Sequence, residues 1–311
     1  LPEPTAAPAS FLFDSAFLAK LEQLHLLARK LFRGEHRAER RSRQVGSSLE
    51  FADYRNYSWG DELRMIDWAV YARLDRLFVK LFEQERDLDV HFLLDASGSM
   101  RWTPPQLSTL NSQLSIKLDQ ARRMTAALAY VALANLDRVN VAWFGEALGE
   151  DTGLTRGKSQ FHGILDYLRQ PPEPPEKTSL STSLRAFAQR MKRRGLVFLL
   201  SDFLDPAGYE EALNVLRHHQ FEVHVVQVLD RAELSPDLLG DLRLTECETG
   251  EAYEVTASDA LVRDYRTAIT TWLEELEGFC LRRGIGYALA TTAVPFEDLV
   301  LRVLRDGVML R

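Results

Sequence analysis

From Asp87 onward the chain alternates short apolar runs with longer amphipathic ones, and this alternation limits the fold more than any other feature. The runs "DVHFLLD", "RVNVAWFG", "LVFLLSDF", "FEVHVVQVLD" and "IGYALATT" are of strand length and nearly continuous in apolar residues. Between them lie segments with helical spacing: Ser115–Asp137, "SQFHGILDYLRQ", "SLSTSLRAFAQRMKRRG", "AGYEEALNVLRHHQ" and "SDALVRDYRTAITTWLEELEGFCLRRG", with "PFEDLVLRVLRDG" at the end. Gly195 is expected as the C-cap of the third of these. Strands that are apolar on both faces and separated by helices imply a mostly parallel sheet covered on both sides. The expected fold is therefore α/β, a doubly wound, Rossmann-type domain over residues 87–311.

Residues 1–86 follow a different pattern and are expected as an N-terminal extension of helix, strands and a short helix packing on that core. Phe17, Leu18, Leu21, Leu24, Leu27 and Leu31 recur at helical spacing. "SLEFADYRNY" alternates and reads as extended, and "RLFVKLFEQE" reads as a second strand. Between them Gly60 offers a turn, and Asp61 is expected to cap a short helix carrying Leu63, Ile66 and Val70. Residues 1–10, rich in Pro and Ala, are expected to be disordered. The basic stretch "RGEHRAERRSRQ" is interrupted by Glu and reads as a solvated linker.

Charge and cysteine content exclude some partners. A formal net charge of −7 argues against nucleic acid. No run reaches the roughly 18 apolar residues of a membrane span. Cys247 and Cys280 stand far apart in no CxxC pattern, which fits a reducing, cytoplasmic setting. "GKS" at 157–159 lacks the glycine a phosphate loop needs five residues earlier, where Thr152 stands. No GxSxG-type nucleophile is visible. His218 and His219 suit a helix C-terminus, and His91 and His224 read as ordinary residues at the edge of the core.

In open α/β sheets, ligands bind outside the carboxyl ends of the strands. Three sets of oxygen-bearing residues fall at such ends. Asp95, Ser97 and Ser99 follow "HFLL"; Thr178, with Thr182 as a neighbouring alternative, precedes the "STSLRAF" helix; Asp202 follows "VFLL". Two carboxylates and several hydroxyls are hard ligands suited to Mg²⁺, or to Mn²⁺ or Ca²⁺. Because the hydroxyls are neutral, a bound ion would keep Lewis acidity for an incoming carboxylate. For DxSxS alone, an ordinary turn capping the next helix is the competing reading.

"DASGSM" after an apolar strand, then a Thr before a helix, then "LLSDF", resembles the von Willebrand factor A domain with its metal-ion-dependent adhesion site, DxSxS…T…D. The resemblance implies Asp95, Ser97, Ser99, Thr178 and Asp202 as the metal set. Thr178 is preferred to Thr182 because it precedes Leu184 by the motif's usual six residues. The last element departs from the commoner Thr-Asp-Gly and reads Ser-Asp-Phe. The upstream residues Arg55, Tyr57, Gly60, Asp61, Arg64, Ile66, Trp68, Ala72, Arg73, Leu77, Val79 and Lys80 are similar to the pattern of a bacterial family, domain of unknown function 58. That resemblance runs from about Val45 to the C-terminus. It implies a MoxR-type AAA+ ATPase, or its client, as partner.

The favoured expectation is a non-catalytic protein-interaction module that binds a partner's acidic residue through the metal, in assembly or chaperone-like maturation. One alternative is a metal-dependent hydrolase using Asp95 and Asp202. The other is a scaffold with a vestigial metal site, whose contact surface is Arg55, Tyr57, Trp59, Asp61 and Arg64, since exposed aromatics and arginines make hot spots. The bland reading of those five, with Asp67 and Trp68, is a structural network in which Arg and Asp pair and the aromatics anchor the extension on the core.

Overall fold

The computed structural model describes residues 12–35, 50–83, 88–103, 117–175, 177–236, 239–247 and 250–305. The disorder expected of residues 1–10, the linker from residue 36 onward and the first two residues of the helix expected from Ser115 lie outside these. The chain divides into two compact units, Leu1–Leu31 with Leu88–Leu310, and Phe32–Asp87.

The larger unit is a doubly wound α/β domain. Its strands are β3 (Asp89–Asp95), β4 (Arg138–Phe144), β5 (Leu148–Asp151), β6 (Thr155–Arg156), β7 (Leu196–Ser201), β8 (Glu222–Leu229) and β11 (Gly286–Thr291). The order is β11-β8-β7-β3-β4-β5, with β6 also on β4. The five strands from β11 to β4 are parallel; β5 and β6 run antiparallel on the β4 edge. The chain moves outward from β3 to β4, then crosses to place β7 on the other side of β3. A reversal of strand order therefore falls between β3 and β7, the place where doubly wound sheets bind ligands.

Every residue of β3 and β7 is buried, which explains why both read as continuous apolar runs instead of alternating ones. Alternation still decides which face each side chain serves. Leu93, Val197, Leu199 and Val225 meet Leu180, Leu184 and Phe187 of α5 (Leu180–Arg190), Leu213 of α6 (Glu210–His218) and Leu276 of α8 (Asp259–Arg282). Phe92 and Phe198, stacked 5.1 Å apart, point the other way. That second face is covered by α3 (Lys117–Ala134), with α4 (Phe161–Arg169) and α9 (Phe296–Arg305) beside it.

The first helix, α1 (Ser15–Glu35), begins in this larger unit, although it was expected within the extension. Phe17 lies 5.0 Å from Phe296 of α9, and Phe17, Leu21, Leu24 and Ala28 are buried. Leu18 and Leu27, expected on the apolar face, are exposed. Two further sequence expectations change. Gly195 does not cap α5, which ends at Arg190 with Met191 as its C-cap. Gly195 immediately precedes β7 instead, where a Cβ would stand 2.2 Å from the Asp89 carbonyl oxygen. His91 and His224 are not at the core edge but are buried, 1% and 3% exposed. A hairpin of β9 (Gly240–Thr245) and β10 (Ala252–Ala257) has no counterpart in the sequence reading, because its side chains are mostly exposed and too polar to register as strands. Among the described residues no helix is long and apolar enough to cross a membrane.

In the smaller unit β1 (Glu50–Asn56) and β2 (Phe78–Glu83) form an antiparallel pair, as the alternating pattern suggested. The segment between them holds a 3₁₀ turn at Leu63–Met65 and α2 (Trp68–Leu74). The cap of α2 is Asp67, not Asp61: its Oδ1 accepts from the amides of Ala69 at 2.9 Å and Val70 at 3.2 Å. Ile66 is extended and bridges to Val79, so no single helix can run from Asp61 through Val70.

Candidate functional site

The carboxyl ends of β3 and β7 bring Asp95 and Asp202 to the switch point. Asp95 is the last residue of β3, and Asp202 follows Ser201, the last of β7. The strands stay in parallel register up to Leu94 and Leu200. Ser201 then donates its hydroxyl to Asp95 Oδ2 at 2.6 Å. The other oxygen, Oδ1, accepts the Ser97 amide at 2.8 Å, the Asx-turn geometry that lets a short polar side chain reverse the chain. The Ala96 amide donates to the Phe144 carbonyl at 2.9 Å, fastening this loop to β4. Ser97 and Ser99 share a hydrogen bond at 3.0 Å between their hydroxyl oxygens. Ser99 begins a 3₁₀ turn, Ser99–Arg101, anchored by the fully buried Met100.

Thr178 is half-buried and immediately precedes the cap of α5. Its neighbour Ser179 donates its amide to the Gly145 carbonyl at 3.0 Å, and Ser183 donates its hydroxyl to the same carbonyl at 3.2 Å. Gly145 follows Phe144, the residue paired with Asp95, so the α5 start is held at the same sheet edge. Asp205, after β7, accepts the Leu180 amide at 2.8 Å, placing a negative charge at the helix N-terminus. Thr182, the alternative, is exposed, and its hydroxyl pairs with the capping Ser179 Oγ at 2.9 Å.

Two charged residues that the sequence reading missed complete this edge. Lys117, the first residue of α3, is fully buried; its ammonium donates to Asp202 Oδ2 at 2.8 Å and to Glu233 Oε1 at 2.6 Å. Glu233 lies in α7 (Arg231–Leu234), where its other oxygen accepts the Asp230 amide at 2.7 Å in a capping box. A lysine amid helix-forming residues looks like any solvated charge, so only its packing shows its role. Ser201 was legible in principle, as the polar residue that ends the apolar run of β7 just before Asp202.

Lys117 is shared by Asp202 and Glu233, and Asp95 lies near Asp202, so three carboxylates stand with one ammonium, an excess of two negative charges when all are ionised. Burial, and after it the nearby Asp202 charge, raises the Asp95 carboxyl to about 7, against the hydrogen bonds from Ser201 and Ser97. Burial raises the Glu233 carboxyl as well, opposed by Lys117. Burial lowers the Lys117 ammonium, but Asp202 and Glu233 more than reverse this and hold it above its ordinary value. Among the described residues no three His, Cys, Asp or Glu side chains form a metal-holding group. The donor set at this edge is of another kind, hydroxyls with carboxylates. Octahedral Mg²⁺ bonds of 2.0–2.1 Å put adjacent ligand oxygens about 3.0 Å apart, the separation found between Ser97 and Ser99.

In the smaller unit, Arg55 donates to Asp61 Oδ1 at 2.8 Å, and Asp61 Oδ2 accepts the Ser58 amide at 2.8 Å. Arg55, and then that amide, pulls the Asp61 carboxyl below its usual range. Gly60, at φ 103°, permits the turn between them. Tyr57 is half-buried and closes the hairpin through its amide to the Leu77 carbonyl at 2.9 Å. Trp59 is 99% exposed, and Arg64, on the 3₁₀ turn, is exposed. Asp67 is the better-connected acid. The Tyr54 hydroxyl at 2.8 Å, with Lys80 at 3.1 Å and the two helix amides, holds it at about 2.

A family model described as "Protein of unknown function DUF58" matches residues 53–273. The Mycobacterium bovis "Uncharacterized protein Mb1516" is 25% identical over 264 residues, 82% of this chain and 78% of that protein; "Uncharacterized protein Rv1480" of Mycobacterium tuberculosis matches to the same extent. Among solved structures, an aerotolerance-related membrane protein from Bacteroides fragilis with multiple mutations to serines aligns at 13% identity. The alignment covers 72% of this chain and all of that one, with a TM-score of 0.42. The conserved hypothetical protein BatB from Bacteroides thetaiotaomicron aligns at 12% identity with the same coverage and TM-score. Likeness at that level adds nothing to the fold described above.

Proposed function

As the chain belongs to the family described as Protein of unknown function DUF58, whose description names no task, we propose from its own site that it is a non-catalytic module that binds an acidic residue of a partner protein through a divalent ion. Asp95, Ser97, Ser99, Thr178 and Asp202 would hold the ion, and Mg²⁺ suits the hydroxyl-rich set better than the larger Ca²⁺. The observation that carries this reading is the Ser97–Ser99 pair, 3.0 Å apart beside the buried Asp95 at the switch point. The ion would supply charge to draw a carboxylate; the chain's part is to fix the hydroxyls and exclude water around Asp95. The likeness of the motif to the metal-ion-dependent adhesion site of von Willebrand factor A domains supports it. A MoxR-type AAA+ ATPase or its client, working in the cytoplasm, is proposed as partner on the family resemblance alone.

Hydrolysis fits less well. With Asp95 and Asp202 both holding the ion, and Asp202 also paired with Lys117, neither would be left as a general base. A second reading has one observation in its favour. Trp59, 99% exposed beside the Arg55–Asp61 pair in sequence, would make the smaller unit a contact surface that needs no metal.

The test is capture of the MoxR-type ATPase by the intact chain in Mg²⁺, compared with Ser97→Ala and Ser99→Ala. Chelator alone would strip the ATPase of its own magnesium, so the variants decide. Loss of capture in both variants, with folding intact, supports the bridge; undiminished capture refutes it.

A further inference from the structure

Lys117 is a costly residue for the fold to keep. Its side chain is fully buried, and taking an ammonium out of water is repaid only by close, well-placed partners. Those partners are Asp202 and Glu233, at 2.8 and 2.6 Å. Glu233 is itself held from behind by the Asp230 amide, so it fixes the ammonium instead of following it. Asp202 Oδ1 accepts the Leu204 amide at 3.2 Å, which leaves the Oδ2 side, the side of Lys117, as its strongest electrostatic contact. A divalent ion seated between Asp95 and Asp202 would share this carboxylate with a cation that the chain already supplies.

We infer that Lys117 is a built-in competitor of the divalent ion: it holds Asp202 and sets the metal affinity of the site below what its oxygens would otherwise give. The inference rests on the metal reading above. Its physical basis is like-charge repulsion across one shared carboxylate in surroundings where charge is poorly screened. The same ammonium favours an incoming anion, so it biases the site away from metal alone and towards metal held together with a partner's carboxylate.

The test is calorimetric titration of the intact chain with Mn²⁺ alone, comparing wild type, Lys117→Met and Lys117→Arg. Losing the charge should tighten Mn²⁺ binding about tenfold or more, while Lys117→Arg, which keeps the charge, should bind like wild type. Should Lys117→Met not fold, Lys117→Gln/Glu233→Gln measured against Glu233→Gln removes the same charge beside a neutral neighbour and must show the same gain. Equal or weaker binding without the lysine charge overturns the inference while leaving the metal reading in place if wild type binds. Binding by Lys117→Met but not by wild type supports the inference and counts against a native metal bridge. No binding by any variant overturns both.

Discussion

Asp95 is where the site and the stability of the fold oppose each other. Burial, and then Asp202, raise its carboxyl from an ordinary 3.8 to about 7 in the folded chain. In the unfolded chain it ionises near its ordinary value. The folded state therefore holds the proton more tightly, so this residue's contribution to stability falls as pH rises from about 4 to about 7 and is flat above. Once both states are ionised, the cost to the folded protein is about 4 kcal/mol at most. Asp95→Asn keeps an acceptor for the Ser97 amide and turns an amide towards Ser201 Oγ, so it removes the charge with little change of shape. In chelator at pH 8 the variant should be more stable than the parent by about 2–4 kcal/mol, with the difference shrinking towards pH 4. Urea unfolding across that range, at unchanged m-value, measures it. Millimolar Mg²⁺ should then raise the parent's stability and leave the variant's unchanged, because an ion that binds only the folded site stabilises by mass action. A variant that is less stable than the parent at pH 8 in chelator, or a difference flat across pH, refutes the reasoning. The chain would then neutralise Asp95 by itself, and no cation would be called for.

Three further outcomes follow. His91 has both ring nitrogens buried without a hydrogen-bond partner among the described residues, edge-on to Phe187 and Phe221, and burial holds it at about 4. Since the unfolded chain protonates near 6.5, the stability from a neutral His91 is complete above that pH and is lost as pH falls through 4. Between pH 7 and 5 wild type should lose about 2 kcal/mol more than His91→Leu, and parallel urea-unfolding profiles would contradict this. Gly195→Ala should destabilise by about 2 kcal/mol or more, because its Cβ would meet the Asp89 carbonyl at 2.2 Å and a backbone atom cannot swing aside; an unchanged melting temperature would disprove so close an approach. Trp59→Ala should alter stability by no more than about 0.5 kcal/mol, given its exposure, yet reduce partner capture if the smaller unit makes the contact. A large loss of stability would make Trp59 structural instead.

The sheet was legible because its strands are buried on both faces, and burial writes itself into sequence as uninterrupted runs such as "HFLL" and "VFLL". The order of strands was not legible, because hydrophobicity does not say on which side of β3 the chain returns as β7. The exposed hairpin of β9 and β10 was invisible for the opposite reason: it buries too little to leave a pattern. Capping was misjudged where two acids compete. Asp61 and Asp67 both precede apolar residues, and the choice between them depends on Ile66 pairing with Val79, a contact that sequence spacing does not encode.

The site was half legible, and the half that was missed changes its chemistry. Asp95, Ser97, Ser99 and Asp202 can be read from spacing because each lies at or just after a strand end. Lys117 and Glu233 come from the starts of two helices, and only the packing of α3 and α7 at the same edge joins them to Asp202. Without them the edge would be two carboxylates among hydroxyls. With them, one carboxylate already has a cation held at 2.8 Å, and the burden of uncompensated charge shifts to Asp95, whose hydrogen-bond donors, the Ser97 amide and the Ser201 hydroxyl, are both neutral. A second monovalent cation would leave that excess only half answered, and an anion would add to it. A divalent ion matches it and brings the edge to neutrality, and an open position on the ion would then take one more carboxylate as a ligand. That is the argument for seeking the partner's contact in an acidic residue.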